Sequence, residues 1–437
     1  MNRTFRWLLS IGFLIPLGII AWLMLPSLIG QLPNTIQQNL PHEIRSWVST
    51  PLPTALPAPE IAVQTTAVLL IPIPTATEVA TETTVPTQPP DQTPIPSATA
   101  TPSPTPQPTS TPLPATTFIE GLVIDPQGFN NCGPTNLSIV LTHHGYAVDQ
   151  DVVADVIRPA YEDKNVSPSE MATYVNNQTP LNAITLWGGD LALLKQLLAV
   201  GFPVIVEEGL LPSEWEGWMG HYLTLYGYDD NSQTFMSMDT YLGPWDSSGR
   251  PTDYASLAEN WQHFNNALLI IYPPEREQEL FAILGEDRLD PVLMWQNAVE
   301  KAQTTVSTHP QNAFSWFNLG SSLTNLGELT GEQVYYDGAV AAFDQARTIG
   351  IPWRMLWYQF EMYEAYLQNG RYDDIVTLAN ASIHSGGEFM EESYLYRGHA
   401  MRALGIEGQA QVDYAHVIEI NPEGLPAAEA AEAANTP

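Results

Sequence analysis

The chain has 437 residues, of which 48 are acidic and 15 are Lys or Arg, so its formal net charge is −33 at pH 7. A charge of this sign repels phosphate backbones, which excludes a nucleic-acid partner. Cys132 is the single cysteine, so no intramolecular disulfide forms and no paired-cysteine metal motif is present. We therefore expect no metal and no cofactor.

The N-terminal segment predicts a membrane anchor. Residues 7–25 carry no charge and the uncharged stretch continues through Gly30, which is long enough to cross a hydrocarbon core of about 30 Å. Arg3 and Arg6 precede it, which favours a cytoplasmic N-terminus. A cleaved signal peptide is the alternative, but its apolar run is usually shorter. We expect residues 1–30 to form a retained single-pass signal anchor in the cell membrane, with the folded domains extracytoplasmic.

Residues 31–116 predict a disordered linker. Between residues 51 and 116, 17 of the 66 residues are Pro, 16 are Thr and none is Lys or Arg. A segment of this composition buries no core and favours extended conformations. We expect it to contribute nothing to packing, and to give the folded domains a reach on the order of 100–200 Å from the bilayer.

A predicted helix after residue 131 carries the first candidate catalytic residue. Pro134 suits a first helical turn, and apolar residues then recur at helical spacing. Cys132 is therefore expected at the helix N-terminus, where the helix dipole stabilises a thiolate; the alternative is a buried thiol that acts as a small apolar residue. Gln127 precedes it by five residues and is a candidate oxyanion donor, or else an ordinary loop glutamine.

The candidate base is His221, in a predicted strand that a turn connects to the strand ending at Asp239. If Tyr228 faces Thr234 in this hairpin, Asp239 becomes a diagonal neighbour of His221 on the same face. A slip of one residue would separate them. The alternative for His221 is an ordinary histidine at a strand end.

Two further histidines and two tryptophans are candidate site residues. His143 and His144 lie on the helix of Cys132, about 17 Å from its thiol, which excludes contact. A buried strand is expected at residues 203–206. In the following loop, Trp215 and Trp218 are equally compatible with lining a substrate cleft and with plain packing.

Beyond Tyr272 the strand signals stop and the chain becomes helical with a period of about 34–40 residues. A leading helix is expected over residues 290–307. Three units follow, with first helices expected to begin near Ala313, Trp353 and Glu392, and with Gly327, Gly370 and Gly405 at the turns between helices. Aromatic residues on such helices are more often core than ligand contacts, and the functional alternative is a concave groove for a protein or peptide partner.

Residues 118–272 resemble papain-fold peptidases related to the bacteriocin leader-processing family, family thirty-nine of the cysteine class. The motifs that carry the resemblance are Gln-x4-Cys-Gly-Pro, Phe-Pro-Val-Ile-Val and Gly-His-Tyr-Leu-Thr-Leu-Tyr-Gly-Tyr-Asp-Asp. The resemblance implies Cys132 as nucleophile, His221 as base, Asp239 as orienting acid and Gln127 as oxyanion donor. The family's glutamine often lies six residues before the cysteine, not five. Residues 290–422 resemble tetratricopeptide repeats.

The sequence thus predicts an anchor at 1–30, a linker at 31–116, an α+β papain-like cysteine peptidase domain at 117–273 and an all-α repeat domain at 274–437. The expected function is a membrane-anchored extracytoplasmic cysteine peptidase that acts on peptides or proteins, with repeats that bind substrate or a partner. The alternatives are an inactive peptide-binding scaffold and an amidase or transamidase with the same chemistry.

Overall fold

The computed structural model describes residues 55–59, 112–213 and 216–435. The predicted signal anchor, most of the predicted linker and Trp215 lie outside these residues. Among the helices in the described ranges, none is both long and apolar enough to cross a membrane.

A seven-stranded antiparallel sheet forms the centre of the first half of the chain. The strands are Thr116–Phe118 (β1), Asn182–Leu186 (β2), Val204–Leu210 (β3), Met219–Asp229 (β4), Thr234–Met238 (β5), Arg250–Asp253 (β6) and Leu268–Tyr272 (β7). The strand order is β2-β7-β3-β4-β5-β6, and β1 pairs with the end of β4.

Helices cover both faces of the sheet because its central strands are apolar on both sides. Ile205 and Leu269 point to one core, whereas Val204 and Val206 point to the other, as the two-residue period of a strand requires. The helices of this half are Cys132–His143 (α1), Gln150–Ile157 (α2), Pro168–Gln178 (α3), Leu191–Ala199 (α4) and Tyr254–Gln262 (α5).

The second half is helical, as predicted, and its helices pack mainly against their neighbours in sequence. They are Glu277–Leu284 (α6), Glu286–Leu289 (α7), Pro291–Thr308 (α8), Ala313–Thr330 (α9), Gln333–Ile349 (α10), Glu361–Gln368 (α11), Tyr372–His384 (α12), Glu391–Ala403 (α13), Glu407–Ile420 (α14) and Leu425–Asn435 (α15). Two 3₁₀ helices span Pro274–Arg276 and Trp353–Trp357.

Two predicted features of the repeats are wrong. The second unit does not begin its α-helix at Trp353, because Trp353–Trp357 is a 3₁₀ helix and α11 begins only at Glu361. Gly327 is not a turn: it lies inside α9, where a Cβ would stand 2.8 Å from the ring of Tyr336 on α10. Gly327 therefore permits close helix packing, and the helix ends at Gly331 with a φ of 72°.

The sheet and the repeats share one continuous apolar core. Trp187, just after β2, stacks on Trp295 of α8 with ring centroids 5.0 Å apart. The same buried cluster extends from Val204 in the sheet to Phe343 and Tyr366 in the helices. These repeat aromatics are core residues, as their sequence pattern favoured.

Residues 55–59 depart from the predicted linker behaviour. Leu56 is only 4% exposed and belongs to the same apolar core. The expectation that this stretch contributes nothing to packing is therefore wrong at Leu56, because its side chain is apolar and the main-chain groups of Leu56 and Pro57 hydrogen-bond to the helical half.

Candidate active site

Cys132 is the first residue of α1, and a buried asparagine fixes this end of the helix to the sheet. Asn136 donates its side-chain amide to the carbonyl oxygens of Cys132 at 2.8 Å and of Tyr222 at 2.9 Å. Its own oxygen accepts a hydrogen bond of 2.6 Å from Thr224. Because Tyr222 and Thr224 belong to β4, Asn136 sets the position of the thiol relative to that strand.

Backbone donors surround the sulfur. The N–H groups of Gly133 and Tyr222 hydrogen-bond to Cys132, and α1 has no side-chain N-cap. Donors at the start of a helix favour an anion there. A Cβ at Gly133 would stand 2.3 Å from Val166, so only glycine allows α1 to begin this close to the neighbouring loop.

His221 lies between Asp239 and the thiol of Cys132 and hydrogen-bonds to both. Nε2 of His221 is 3.1 Å from Oδ1 of Asp239, and both residues are buried. The same oxygen accepts backbone N–H groups from Tyr241 at 3.0 Å and Leu242 at 2.8 Å. Asp239 is therefore held as an acceptor, and Nδ1 is the ring nitrogen left to hydrogen-bond to Cys132.

The predicted hairpin register is wrong near the turn and right further along. Tyr228 faces Phe235, not Thr234, but a β-bulge between Leu225 and Gly227 shifts the register by one residue. Beyond it Leu225 faces Ser237, which is the register that the sequence predicted. The bulge thus changes the pairing of β4 and β5 by one residue, and bulges often lie beside functional sites.

The interactions among these three groups outweigh the effect of burial. Burial raises the pKa of the Cys132 thiol, but its hydrogen bond to His221 and the charge of that ring lower the pKa overall. Burial lowers the pKa of His221, but its bonds to Asp239 and Cys132 raise the pKa to about 10. The pKa of Asp239 falls despite burial, mainly through the bond from His221. Near neutral pH the arrangement favours a thiolate beside an imidazolium.

Gln127 is held by Thr240, the residue after Asp239. Its backbone N–H donates to the carbonyl of Thr240 at 3.1 Å, and its Oε1 accepts from the hydroxyl of Thr240 at 2.8 Å. Because the amide oxygen is engaged, the amide NH₂ is the end of the side chain that remains for an oxyanion. Thr240 also lies 3.5 Å from Asn136, which links Gln127 to the start of α1.

Sequence reasoning missed two buried carboxyls on β3. Glu208 pairs with His221 across the β3–β4 ladder, and burial raises its pKa to about 7. Glu207 pairs with Tyr222 and interacts electrostatically with Cys132, and burial raises its pKa well above the usual range. The available signal was two acidic residues directly after an apolar run, since carboxyls are rarely buried without a partner or a function.

The helical half also contributes to this site. Nη1 of Arg354 donates to the carbonyls of Glu216 at 2.7 Å and Trp218 at 3.2 Å, just before β4. Tyr358 hydrogen-bonds to the backbone of Gly220 and interacts electrostatically with Cys132. The repeats therefore form part of the wall around His221, which the sequence did not predict.

Trp218 packs rather than lines a cleft. Its ring stacks on Phe264 with centroids 5.8 Å apart and contacts Phe314 and Tyr358. Its indole N–H donates to His263 at 3.2 Å. At the other end of α1, His144 hydrogen-bonds to the carbonyl of Ile271. Within residues 112–213 and 216–435, no group of three or more His, Cys, Asp or Glu side chains is arranged to hold a metal ion.

Comparisons with known proteins agree with the assignment of the first half. Residues 110–268 match the family model described as the Peptidase_C39 like family. A C39-like peptidase of Bacillus anthracis is 15% identical, with a TM-score of 0.29, over 36% of this chain and 96% of its own. A double glycine motif protease from an AMS/PCAT transporter, solved with the leader peptide, is 16% identical, with a TM-score of 0.27, over 36% and 98%. No curated protein matches the chain.

Proposed function

We propose that this chain, whose residues 110–268 match the C39-like peptidase family model, hydrolyses peptide bonds through Cys132, His221 and Asp239. The observation that carries the proposal is the position of His221, which hydrogen-bonds both to Asp239 and to a thiol at a helix N-terminus. A nucleophile, a base and a group that orients the base are the parts that covalent acyl transfer requires.

In the proposed reaction, the thiolate of Cys132 attacks the carbonyl carbon of the scissile bond. The oxyanion that forms accepts hydrogen bonds from the Gln127 amide and from backbone N–H groups at the start of α1. The imidazolium of His221 then gives its proton to the leaving amine, and the C–N bond breaks. Water, deprotonated by His221, then attacks the thioester carbonyl; the C–S bond breaks, the acid product leaves, and the thiolate–imidazolium pair is restored.

The location of the enzyme is part of the same proposal. Residues 7–25 are uncharged and follow Arg3 and Arg6, which supports a signal anchor with the folded domains outside the cell membrane. The repeats are proposed to bind a peptide or protein substrate or partner, and the support is their position beside His221 through Arg354 and Tyr358.

Incubation of the full chain, in detergent micelles, with a diverse peptide library tests the activity. We expect defined cleavage products from the wild type and none from Cys132→Ala. His221→Ala should lower the rate by about 10²–10⁴-fold, which is the usual contribution of a general base. His309→Ala, at an exposed site, is the matched control and should retain activity.

The result also separates the alternatives. Saturable binding of library peptides with no cleavage would support an inactive scaffold instead. Products joined to an added amine in preference to water would support a transamidase, because both reactions pass through the same thioester.

A further inference from the structure

The segment Ala55–Pro59 binds to the helical half of the chain. The side chain of Leu56 is buried in the apolar core, and its backbone N–H donates to the carbonyl of Ile351 at 3.0 Å. Ile351 follows the end of α10 and is itself fully buried. The segment is thus held through one side chain and through its main chain.

A buried arginine completes the contact. Nε of Arg347 donates to the carbonyl of Pro57 at 2.7 Å. The Nη1 atom of the same guanidinium is fixed by the hydroxyl of Tyr366 at 2.9 Å and by Asp374 at 2.8 Å. Arg347 is only 3% exposed, and a buried charged donor needs an acceptor. The carbonyl of Pro57 is that acceptor. The guanidinium of Arg347 is therefore a donor, already fixed in position, for the carbonyl of a bound peptide.

The sequence of the segment suits such a site. Pro57 and Pro59 restrict the backbone, and a residue before Pro favours the extended conformation. A peptide that is already extended loses little conformational freedom when it binds. Ala58 is exposed, so recognition depends on the Leu56 side chain and on main-chain groups.

We propose that Arg347, Ile351 and the apolar residues around Leu56 form a binding site for an extended Leu-Pro peptide, and that Leu56-Pro57 of the same chain is its resident ligand. The inference is independent of the proposed peptidase activity. The proposal has a consequence for the predicted linker. If residues 1–30 are the membrane anchor, the part of the linker that separates the anchor from the folded unit ends near residue 54, not at residue 116.

This attachment shortens the reach that the sequence predicted. Residues 31–54, even at about 3.1 Å per residue in an extended polyproline form, span at most about 75 Å. Residues 60–111 then connect two attached points of one folded unit, Pro59 beside the repeats and the strand that begins at Thr116, and add nothing to the distance from the bilayer.

The test is binding of a fluorescein-labelled peptide that copies residues 52–62 to the full chain in detergent micelles, followed by fluorescence anisotropy. All chains carry Cys132→Ala, so that none cleaves the peptide. The Leu52→Asp/Leu56→Asp variant removes the apolar side chain of the resident ligand and of the nearest similar Leu-Pro pair. Ala58→Asp, at the exposed position of the same segment, is the matched control.

We expect the Leu52→Asp/Leu56→Asp chain to bind the peptide at least about tenfold more tightly than the chains with an intact Leu56, because a tethered ligand competes at an effective concentration in the millimolar range. A peptide with Asp in place of both leucines should not bind. Equal affinity for all the chains, no binding to any of them, or equal binding of the Asp-containing peptide would overturn the proposal.

Discussion

The hydrogen bond from His221 to Asp239 determines which ring nitrogen faces the thiol. Because Oδ1 of Asp239 also accepts two backbone N–H groups, it is fixed in position and Nε2 of His221 is the donor to it. Nδ1 then hydrogen-bonds to the sulfur of Cys132. The thiolate–imidazolium pair is stable because the charge of each group offsets the free-energy cost of burying the other.

Glu208 is the residue whose replacement should change the pH dependence without touching the nucleophile. Its carboxyl lies opposite His221 and titrates near pH 7. When ionised it stabilises the imidazolium, so Glu208→Gln should lower the pKa of His221. We expect the alkaline limb of kcat/KM to move to lower pH by about 0.5–1 unit, measured with any peptide that the wild type cleaves.

Glu120→Gln, at an exposed position, is the control and should leave the profile in place. A Glu208→Gln chain whose activity falls equally at every pH would contradict a role for this charge, since a purely structural defect does not move a titration.

The contact of Cys132, His221 and Asp239 could be predicted, whereas their catalytic roles stay a prediction. Cys132 is unique in the chain, and the contact of His221 with Asp239 follows from the hairpin register that holds beyond the bulge. Glu208 and Tyr358 could not be predicted in the same way. One becomes important only through burial, and the other reaches the site from a distant element.

At the scale of elements, the 3₁₀ helix Trp353–Trp357 connects the repeats to the strand that carries His221. Arg354 in this helix holds the backbone just before β4 through two carbonyls. Tyr358, directly after it, packs on Gly220, where a Cβ would stand 3.0 Å from the tyrosine ring. The position of His221 therefore depends on an element of the other half of the chain.

Arg354→Gln should weaken this support and lower peptide cleavage by about tenfold, because hydrogen bonds from a charged donor contribute about 1.5–3 kcal/mol. Amide exchange at residues 219–221 should become faster in parallel. Arg288→Gln, which removes a partly exposed ion pair with Asp190, serves as the control. Unchanged cleavage with faster exchange would show that the contact is structural only.

Element types were predictable where the pattern is long and periodic. The helix at Cys132, the strand of His221 and most repeat helices are confirmed. The predicted start of the second repeat was wrong because Trp353 and its neighbours carry an apolar pattern like that of an α-helix, whereas they form a short 3₁₀ helix with i→i+3 hydrogen bonds. The turn predicted at Gly327 was wrong because, in a sequence, a glycine needed for close helix packing cannot be told from a glycine needed for a turn.

At the scale of the whole molecule, buried carboxyls couple stability to pH. Burial raises the pKa of Glu208 and Glu391 to about 7, from a usual value of 4.5. The folded state therefore binds more protons than the unfolded state from about pH 4.5 to 7, and stability falls as pH rises. Burial of His144 and His263 acts in the opposite direction, but only below pH 6.5. Above pH 6.5 the raised pKa of His221 and the lowered pKa of Cys132 act against each other.

We therefore expect the free energy of unfolding to fall between pH 6.5 and 7.5, where these carboxyls lose their excess protons, by about 1.4 kcal/mol per pH unit for each excess proton. Denaturant titrations at fixed ionic strength measure it. Glu391→Gln should reduce the slope, because Glu391 is buried, whereas Glu332→Gln, at an exposed site, should not. A stability that is constant or rises over this range would contradict the burial of these carboxyls.

The thiolate–imidazolium pair of Cys132 and His221 is tested most directly by the rate of alkylation of Cys132 with iodoacetamide as a function of pH. Because the chain has one cysteine, the rate reports on this thiol alone. We expect fast alkylation in the wild type with a midpoint well below the free-thiol value of about 8.5, a higher midpoint in His221→Ala, and no change in His309→Ala. Slow alkylation with a midpoint at or above about 8.5 that is insensitive to His221 would show that no such pair exists.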